Sequence, residues 1–156
     1  METIYEKFLY HVSRLGFKTL TNIQKKAIPV IINKINTLII APTGTGKTEA
    51  AILPILFHIS ENKIKGKPSV LYITPLRALN RDLLRRIRKY SEYFNLKTEV
   101  RHGDTPTGLR RKIQQNPPDI LITTPETLGA LLTLPAYIGW FKNLEWVIVD
   151  EVHELI

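Results

Sequence analysis

Five short apolar runs limit what this chain can fold into, because most of them are continuously apolar rather than alternating. Strands that are buried on both faces, as in parallel sheets, have this character. The runs lie at residues 37–41, 69–74, 97–101, 119–123 and 146–150. Helical patterns separate most of them, at residues 47–60, 76–94, 107–115 and 125–133. The alternation predicts an α/β fold with a mostly parallel sheet and helices on both faces. The third run is polar, which favours a place near the edge of the sheet.

Two helical patterns come before the first run. Thr3 and Glu6 have the spacing of a capping box at the start of the first pattern. Thr21 and Gln24 have the same spacing at the start of the second, which covers residues 21–33. Spacing alone favours a capping role for Gln24. Its carboxamide also offers a donor and an acceptor that suit the edge of an adenine.

The amino-acid composition limits which partners the protein can bind and in which cellular compartment it can be expected. The chain has 156 residues, enough for one domain with a core, and a net charge of +8, which favours an anionic partner such as nucleic acid or nucleotide. It has no cysteine, which excludes disulfides and thiolate metal sites and fits an intracellular protein. No apolar run approaches the roughly 18 residues of a membrane span, and the start lacks the order of a signal peptide. We therefore predict a cytoplasmic protein without membrane contact.

A glycine-rich segment joins the first run to a helical pattern, as in phosphate-binding loops. Parallel sheets place ligand sites at the carboxyl ends of their strands, where this segment lies. Gly44 and Gly46 allow close approach of the backbone, so that N–H groups can surround phosphate oxygens. Lys47 can reach the β- and γ-phosphates, and the Thr48 hydroxyl can hold Mg²⁺. The alternative is a plain turn at a helix start. The candidate nucleotide-binding residues of the loop are Thr43, Gly44, Thr45, Gly46, Lys47 and Thr48.

Two carboxylates, Asp150 and Glu151, follow the last run. Asp150 stands where the Mg²⁺-holding partner of a phosphate loop is found, and Glu151 can orient and deprotonate an attacking water. The pair could instead lie in the first turn of a helix and stabilise its N-terminus. Alone, the two interpretations fit equally well, and the upstream loop favours the catalytic one. His153 by itself is more typical of a structural or surface histidine.

Threonine followed by proline stands at two predicted helix starts, Thr74-Pro75 and Thr124-Pro125, the second of which leads into Glu126. Threonine at the N-cap and proline at the first helical position are good capping chemistry. Such starts also present free backbone N–H groups to an anion, including the phosphodiesters of a nucleic acid. The residues alone do not separate capping from phosphate contact.

Arginines are concentrated in the helical pattern over residues 76–94. Arg77 and three later arginines fall on one face of that predicted helix. The later ones fit a solvated outer face, whereas Arg77 lies nearest the strand end and is favoured for a phosphate contact. Gly103 follows the third run in a predicted turn, where a glycine allows close backbone approach.

Taken together, these motifs resemble the first RecA-like domain of superfamily 2 helicases, which are P-loop NTPases. The segments that carry the resemblance are residues 41–48 for motif I, 74–80 for motif Ia, 124–128 for motif Ib and 150–153 for motif II in its Asp-Glu-Val-His form. Thr21-x-x-Gln24 is similar to the Q motif, and Ala41 replaces the first glycine of the common motif I pattern. Residues 75–80, 101–106 and 124–128 look closest to the Lhr-type (large helicase-related) and Ski2-like branch.

The resemblance implies ATP and Mg²⁺ as cofactors. In that family the lysine that matches Lys47 binds the β- and γ-phosphates. The residues that match Thr48 and Asp150 serve Mg²⁺, and the one that matches Glu151 activates water. The residue that matches His153 helps to couple the ATP state to later motifs.

The same resemblance implies nucleic acid, either RNA or DNA, as a partner. Motifs Ia and Ib contact the sugar-phosphate backbone in the family, and the Q-motif glutamine, here Gln24, contacts adenine. The candidate nucleic-acid residues are Pro75, Arg77, Gly103, Thr124, Pro125 and Glu126.

The chain stops at Ile156, before the motif III that the family carries after a further helix and strand. The resemblance therefore implies that residues 1–156 are the N-terminal part of RecA-like domain 1, incomplete at the C-terminus. In the family the motif III strand lies between the strands of motifs I and II, so we expect a gap in the middle of the sheet unless the pairing rearranges or another copy fills it. The second RecA-like domain, in the same or another chain, supplies an arginine finger worth on the order of 10³–10⁵ in rate. We expect the chain alone to hydrolyse ATP very weakly and not to unwind.

Two other functions stay open at this point. One is a non-catalytic module that holds nucleotide or nucleic acid. The other is a small-molecule kinase or a different P-loop NTPase. Glu151 directly after Asp150, and the paired threonine-proline helix starts, argue against the kinase.

Overall fold

The computed structural model describes residues 1–62 and 66–155. The chain divides into two compact units, Met1–Asn62 and Lys63–Ile156. The first unit contains the glycine-rich loop, the two helices before it and the helix after it. The strands lie in the second unit, together with the helices that follow them.

Three helices make up the first unit, and capping boxes start two of them. At the start of α1 the Thr3 N–H donates to Glu6 Oε2 over 2.6 Å, and the Glu6 N–H donates to Thr3 Oγ1 over 3.1 Å. The second helix begins with the same reciprocal arrangement of Thr21 and Gln24. Both capping boxes predicted from the sequence are confirmed. The helices are α1 at Ile4–Arg14, α2 at Asn22–Ile32 and α3 at Lys47–Glu61.

The core of the first unit lies where α1 and α2 meet α3. Phe8 of α1 packs edge-on against Phe57 of α3 with ring centroids 5.7 Å apart, and neither ring is accessible to solvent. Ile28 of α2 and Leu53 of α3 are completely buried as well. The glycine-rich loop therefore precedes a helix whose apolar side is packed against α1 and α2.

The prediction of a strand at residues 37–41 is wrong. This segment has neither helical nor strand structure, and the side chains of Leu38 and Ile40 are 70% and 82% exposed. An extended apolar segment becomes a strand only where a neighbouring strand satisfies its N–H and C=O groups. No strand is present among residues 1–62. The apolar composition of residues 37–41 alone is therefore not enough to make this segment a strand.

Four parallel strands form the sheet of the second unit, in the order β2-β3-β1-β4. Leu71 is in register with Leu121 on one side and Val147 on the other. The polar strand β2 lies at an edge, as its sequence predicts, and β4 lies at the other edge of the described sheet. Val147 and Val149 of β4 are exposed. The strands are β1 at Val70–Ile73, β2 at Thr98–Arg101, β3 at Ile120–Thr123 and β4 at Trp146–Val149.

A buried cluster holds two helices of the second unit to the sheet. Ile113 of α5 (Thr107–Gln115) and Leu131 of α6 (Pro125–Leu132) join Leu71 and Leu121 of the central strands, together with Tyr137 and Trp140. The alternate residues of those strands are buried too, so both faces of the sheet's centre are covered. The helices of this unit are α4 at Arg81–Tyr93, α5 at Thr107–Gln115 and α6 at Pro125–Leu132. None of the helices in the described parts of the chain is long and apolar enough to cross a membrane.

The helix predicted over residues 76–94 is divided in two. A single 3₁₀ turn covers Leu76–Ala78, and α4 starts anew after Asn80, whose Oδ1 accepts the N–H of Leu83 over 2.9 Å. Asparagine is one of the best N-cap residues, and its capping geometry is incompatible with a continuous helix. Arg77 therefore lies on the 3₁₀ turn, not on the arginine-bearing face of α4.

Candidate functional site

The glycine-rich loop at residues 41–46 has the backbone conformation for which glycine is suited. Gly44 and Gly46 have φ angles of +80° and +83°, in the left-handed region that side chains disfavour. The Thr45 hydroxyl donates to the carbonyl of Pro42 over 2.6 Å and closes the turn. Helix α3 begins at Lys47, and its first N–H groups have no carbonyl partner within the helix. Such a helix start, together with the loop, is suited to hold an anion.

The side chain of Lys47 forms a hydrogen bond with the backbone at the start of the loop. Lys47 Nζ donates to the carbonyl of Ala41 over 2.5 Å, so that the ammonium lies back over the start of the loop. Lys47 and Thr48 are half-buried, whereas Thr43 is exposed. Thr43, Gly44, Thr45, Gly46, Lys47 and Thr48 thus form one continuous turn into α3, as predicted.

A contact between α2 and the loop was not foreseen from the sequence. Gln24 is only 3% exposed, and its Nε2 donates to the carbonyl of Gly46 over 3.2 Å. The Thr21 hydroxyl donates to the carbonyl of Thr45 over 2.8 Å. The capping role of Gln24 is confirmed by its Oε1, which accepts the N–H of Thr21 over 3.0 Å. More than twenty residues separate these partners, so local spacing carried no signal for the contact.

Two hydroxyl groups of the second unit hold the first carboxylate of the Asp-Glu pair. Tyr72 Oη donates to Asp150 Oδ2 over 2.9 Å, and Thr74 Oγ1 lies 3.5 Å from the same oxygen. Asp150 Oδ1 accepts the N–H of Glu151 over 3.0 Å. Because β1 and β4 are neighbours, their carboxyl ends meet at the same edge of the sheet. Of the two interpretations left open for Thr74, the capping one is wrong, because its buried hydroxyl lies 3.5 Å from Asp150 Oδ2 and the following 3₁₀ turn has no side-chain cap.

The backbone turns sharply directly after this aspartate. Glu151 has a φ angle of +53°, which is uncommon for a residue with a side chain and is found most often at special turns and sites. Its Oε2 lies 3.3 Å from His153 Nε2, and Glu154 Oε1 lies 3.9 Å from the same nitrogen. His153 and Glu151 are therefore brought together, with His153 largely exposed to solvent.

Arg77 is paired with a carboxylate from the segment after Asp150. Its Nε donates to Glu154 Oε1 over 2.8 Å, and one Nη donates to the same oxygen. These hydrogen bonds, together with the negative charge of Glu154, raise the pKa of the Arg77 guanidinium. The arginine remains 73% exposed, so the pair is one that solvent and salt weaken. The predicted motif Ia arginine is thereby in direct contact with the residue that follows the predicted motif II segment.

The threonine-proline start of α6 is a genuine helix cap. Thr124 is the N-cap, its hydroxyl accepts the N–H of Thr127 over 3.4 Å, and Pro125 is at the first helical position. Glu126 lies exposed in the first turn. The capping interpretation is confirmed here, and a phosphate contact at this start stays a prediction.

The turn after β2 is stabilised by hydrogen bonds from the Arg110 side chain and by a hydrogen bond within the turn. Arg110 of α5 donates to the carbonyls of Gly103 and Thr105, and the His102 N–H donates to Thr105 Oγ1 over 2.9 Å. Gly103 therefore lies in the predicted turn. With Pro75, Arg77 and the start of α6, it belongs to the loops that follow the strands at the carboxyl edge of the sheet.

These features together define a RecA-like α/β domain. They are a parallel sheet, a glycine-rich loop that leads into a helix, and an Asp-Glu pair at the end of a strand, with the aspartate bound by two hydroxyls. A model of the DEAD/DEAH box helicase family matches residues 21–156, and the chain belongs to that family.

Relatives of the Lhr type and two solved helicase structures are similar to this chain over most of its length. The ATP-dependent helicase Lhr-Core of Sulfolobus acidocaldarius is 41% identical over 89% of the chain, and that of Saccharolobus solfataricus is 37% identical over 99%. The structure of Mycobacterium smegmatis helicase Lhr bound to ssDNA and AMP-PNP has a TM-score of 0.81 and 36% identity, over 99% of this chain. The crystal structure of the DUF1998 helicase MrfA has a TM-score of 0.78 and 26% identity. The chain spans 17% and 19% of the length of the two Lhr-Core relatives, and 20% and 24% of the two solved chains.

Proposed function

We propose that this chain is the ATP-binding part of a nucleic-acid-dependent ATPase or helicase, with residues 1–156 as the N-terminal part of its first RecA-like domain. The observation that carries the proposal is the pair of left-handed glycines directly before Lys47 and α3, in a member of the DEAD/DEAH box family. Relatives named ATP-dependent helicases support the use of ATP.

The loop fits the triphosphate of ATP. Left-handed glycines bring backbone N–H groups to one side, and a Cβ at Gly44 would meet no atom within 4 Å, so the outer side of the turn is open. Lys47 would exchange the Ala41 carbonyl for phosphate oxygens. The proposed nucleotide-binding residues are Gln24, Thr43, Gly44, Thr45, Gly46, Lys47 and Thr48.

Hydroxyl and carboxylate oxygens are the ligands that Mg²⁺ prefers, and Thr48 and Asp150 offer one of each. Mg²⁺ neutralises charge on the phosphates when it is bound. The hydroxyls of Tyr72 and Thr74 hold the Asp150 carboxylate in one orientation. Glu151 would accept a proton from the attacking water, and His153 beside it would orient that carboxylate.

We place the nucleic-acid contacts on the loops that follow the strands. Helix starts and a guanidinium bind phosphodiesters without reading sequence, which suits a motor that moves along a strand. The M. smegmatis relative was solved with ssDNA bound, and a net charge of +8 favours a polyanion. The proposed contact residues are Pro75, Arg77, Gly103, Thr124, Pro125 and Glu126. Whether RNA or DNA is preferred depends on contacts to the 2′-hydroxyl.

A second RecA-like domain, in the same or another chain, would complete the enzyme. An arginine finger is worth on the order of 10³–10⁵ in rate for related NTPases. We therefore expect this chain alone to bind ATP and nucleic acid, to hydrolyse ATP hardly at all, and not to unwind duplexes.

Isothermal titration with ATP and Mg²⁺ tests the nucleotide site. Lys47→Ala should weaken ATP binding by roughly tenfold or more, because a charge-assisted hydrogen bond contributes about 1.5–3 kcal/mol. Lys26→Ala, on the exposed side of α2, removes the same charge and should leave the affinity within about twofold. Equal affinity of the wild type and Lys47→Ala would exclude a role for the loop.

Fluorescence anisotropy with a labelled single strand tests the polymer site. Arg77→Ala should weaken binding to strands of any sequence, since a phosphate contact carries no base information. Arg85→Ala, on α4, is the matched loss of charge. If the two variants bind alike, Arg77 is not a specific contact. Hydrolysis above the buffer rate, measured with and without the strand, separates a weak ATPase from a binding module.

A further inference from the structure

We propose that the outer face of α4 is a second contact surface for the backbone of a nucleic acid, separate from the loops at the strand ends. Its contact residues are Arg81, Arg88 and Lys89. The inference rests on the proposed binding of a nucleic acid and adds a surface to it. These residues lie outside the motif segments at residues 74–80 and 124–128.

The arginines of α4 share one side of the helix. Arg81, Arg85 and Arg88 follow one another at spacings of four and three residues, which places them in one row on an α-helix. All three are exposed, as is Lys89. The groove along this side is lined by Arg81, Leu84, Arg85, Arg88, Lys89 and Glu92. Because most of these residues are cationic, the groove favours an anionic ligand.

One ion pair on α4 divides these cations into two groups. Arg85 donates to Asp82 Oδ1 over 2.9 Å, so its charge is already compensated. Among the described residues, no hydrogen bond or ion pair involves the side chains of Arg81, Arg88 or Lys89. These three side chains can therefore bind a phosphate without first giving up a carboxylate.

The basic face of α4 continues from the proposed nucleic-acid loops. Strands β1 and β2 are both parallel to β3, so the helix between them must return the chain from the carboxyl edge of the sheet to the amino edge. The first turn of α4, with Arg81, therefore lies nearest the carboxyl edge. Arg77 lies on the 3₁₀ turn directly before it. A strand that leaves the loops past Arg77 would meet Arg81 first and Lys89 last.

The spacing of the unpaired cations fits a nucleic-acid strand. Lys89 lies eight residues after Arg81, a rise of about 12 Å at about 1.5 Å per residue. One strand carries a phosphate about every 3.4 Å along the helix axis, so roughly three to four phosphates span that distance. The three cations thus match the phosphates in number. Glu92 ends the basic stretch, because a carboxylate repels phosphate.

The chemistry of the groove favours a nucleic acid over an acidic protein segment. Protein interfaces bury an apolar centre rich in aromatic residues and are poor in lysine. Leu84 is the one apolar residue that lines the groove, and it is half-buried. A surface that offers charge and little apolar area suits a backbone that is bound through its phosphates.

Substitution by glutamine removes charge from α4 and keeps a long side chain that favours helix. The test variant carries Arg81→Gln, Arg88→Gln and Lys89→Gln. A matched control removes three exposed charges from α1 and α2, with Lys7→Gln, Arg14→Gln and Lys26→Gln. Arg85→Gln is a second control, because it removes a compensated charge from the same face. Circular dichroism establishes that each variant folds.

Fluorescence anisotropy of the full chain measures binding to single strands of about 6 to about 20 nucleotides. The test variant should bind the longest strand roughly tenfold more weakly than the wild type at low salt, against at most about twofold for the matched control. The slope of log affinity against log salt should fall by about 2, since each lost contact with a single strand accounts for about 0.7. The shortest strand should occupy the loops alone and bind the test variant as it binds the wild type. Arg85→Gln should leave the slope unchanged.

Several outcomes would overturn the surface. If the test variant and the matched control bind the longest strand alike, the effect is one of net charge. If the test variant weakens short and long strands by the same factor, the face is not separate from the loops. If it loses affinity for poly-glutamate but not for the strand, the ligand is an acidic protein segment.

Failure of the proposed function gives a different result. If the wild type binds no strand of any length, the proposed nucleic-acid binding is wrong and the inference falls with it. If Arg77→Ala weakens binding while the α4 variant binds every strand as the wild type does, the loops bind nucleic acid and only the second surface is excluded.

Discussion

Alanine at Gly46 should destabilise the first unit more than alanine at Gly44, although both glycines have nearly the same backbone conformation. With φ angles of +83° and +80°, each alanine bears the strain of a left-handed residue, about 1–2 kcal/mol, less the roughly 0.4–1 kcal/mol gained by restricting the unfolded chain. At Gly44 the new methyl meets open space. At Gly46 it meets Gln24 Nε2 at 2.3 Å, so the amide must swing away. A buried N–H left without its acceptor costs about 1–3 kcal/mol, which is the expected difference between the two variants.

Thermal unfolding followed by circular dichroism measures that difference. For a chain of this size each kcal/mol lowers the melting temperature by about 2–4 °C, so Gly46→Ala should melt at least about 2 °C below Gly44→Ala. The Gln24→Ala background provides the control, because without the amide the two glycine substitutions should cost the same. Equal melting temperatures for Gly44→Ala and Gly46→Ala in the wild-type background would refute the argument. The contact between α2 and the loop would then contribute nothing measurable.

Three other outcomes can be measured on the same chain. Glu154→Gln should free Arg77 and raise the affinity for single-stranded DNA by about twofold to fivefold at low salt, where an exposed ion pair is least screened, and an unchanged dissociation constant would count against an Arg77 contact. Leu121→Ala in the sheet core should lower the free energy of unfolding by about 2–5 kcal/mol, against about 0.5 kcal/mol or less for the exposed Leu132→Ala in urea titrations. Hydrogen bonds from the backbone and side chain of Thr3 lower the pKa of Glu6, so the midpoint of its NMR titration should lie below the usual glutamate value. The stabilisation that ionised Glu6 gives at neutral pH should be lost as the pH falls through that midpoint. A midpoint at the usual value would mean that the capping box is open in solution.

Features that depend on neighbours in sequence could be predicted. The capping boxes at Thr3 and Thr21 follow from residues three positions apart, and so does the N-cap at Thr124. The parallel sheet follows from continuously apolar runs that alternate with helical patterns, and the polar composition of β2 correctly indicated an edge. Each of these rests on local chemistry or on the period of a pattern.

Features that depend on distant partners could not be predicted. The segment at residues 37–41 has the apolar composition of a strand, but it has no neighbour in its own unit with which to pair. Asn80 interrupts the helix predicted over residues 76–94, because a side-chain cap competes with helix continuation, and periodicity does not record that competition.

The same division applies to the candidate site. The loop, the Asp-Glu pair and the helix starts could be found from motifs because their chemistry is contiguous in sequence. The hydroxyls of Tyr72 and Thr74 on Asp150, and the amide of Gln24 on Gly46, come from segments more than twenty residues away. Only the neighbour relation of β1 and β4 brings the first pair together, and sequence periodicity does not give strand order.

The outer edge of β4 has a practical consequence for anyone who handles this protein. The strand reads Trp-Val-Ile-Val, carries no charge and no proline, and no strand among the described residues pairs with its outer side. Natural sheets normally protect such edges with lysine, proline or a bulge, because unpaired N–H and C=O groups recruit strands from other copies. Short, uncharged, β-branched segments are also the ones that stack into aggregates. Concentration and heating should therefore cause self-association through this edge, and a lysine in place of exposed Val147 should suppress it.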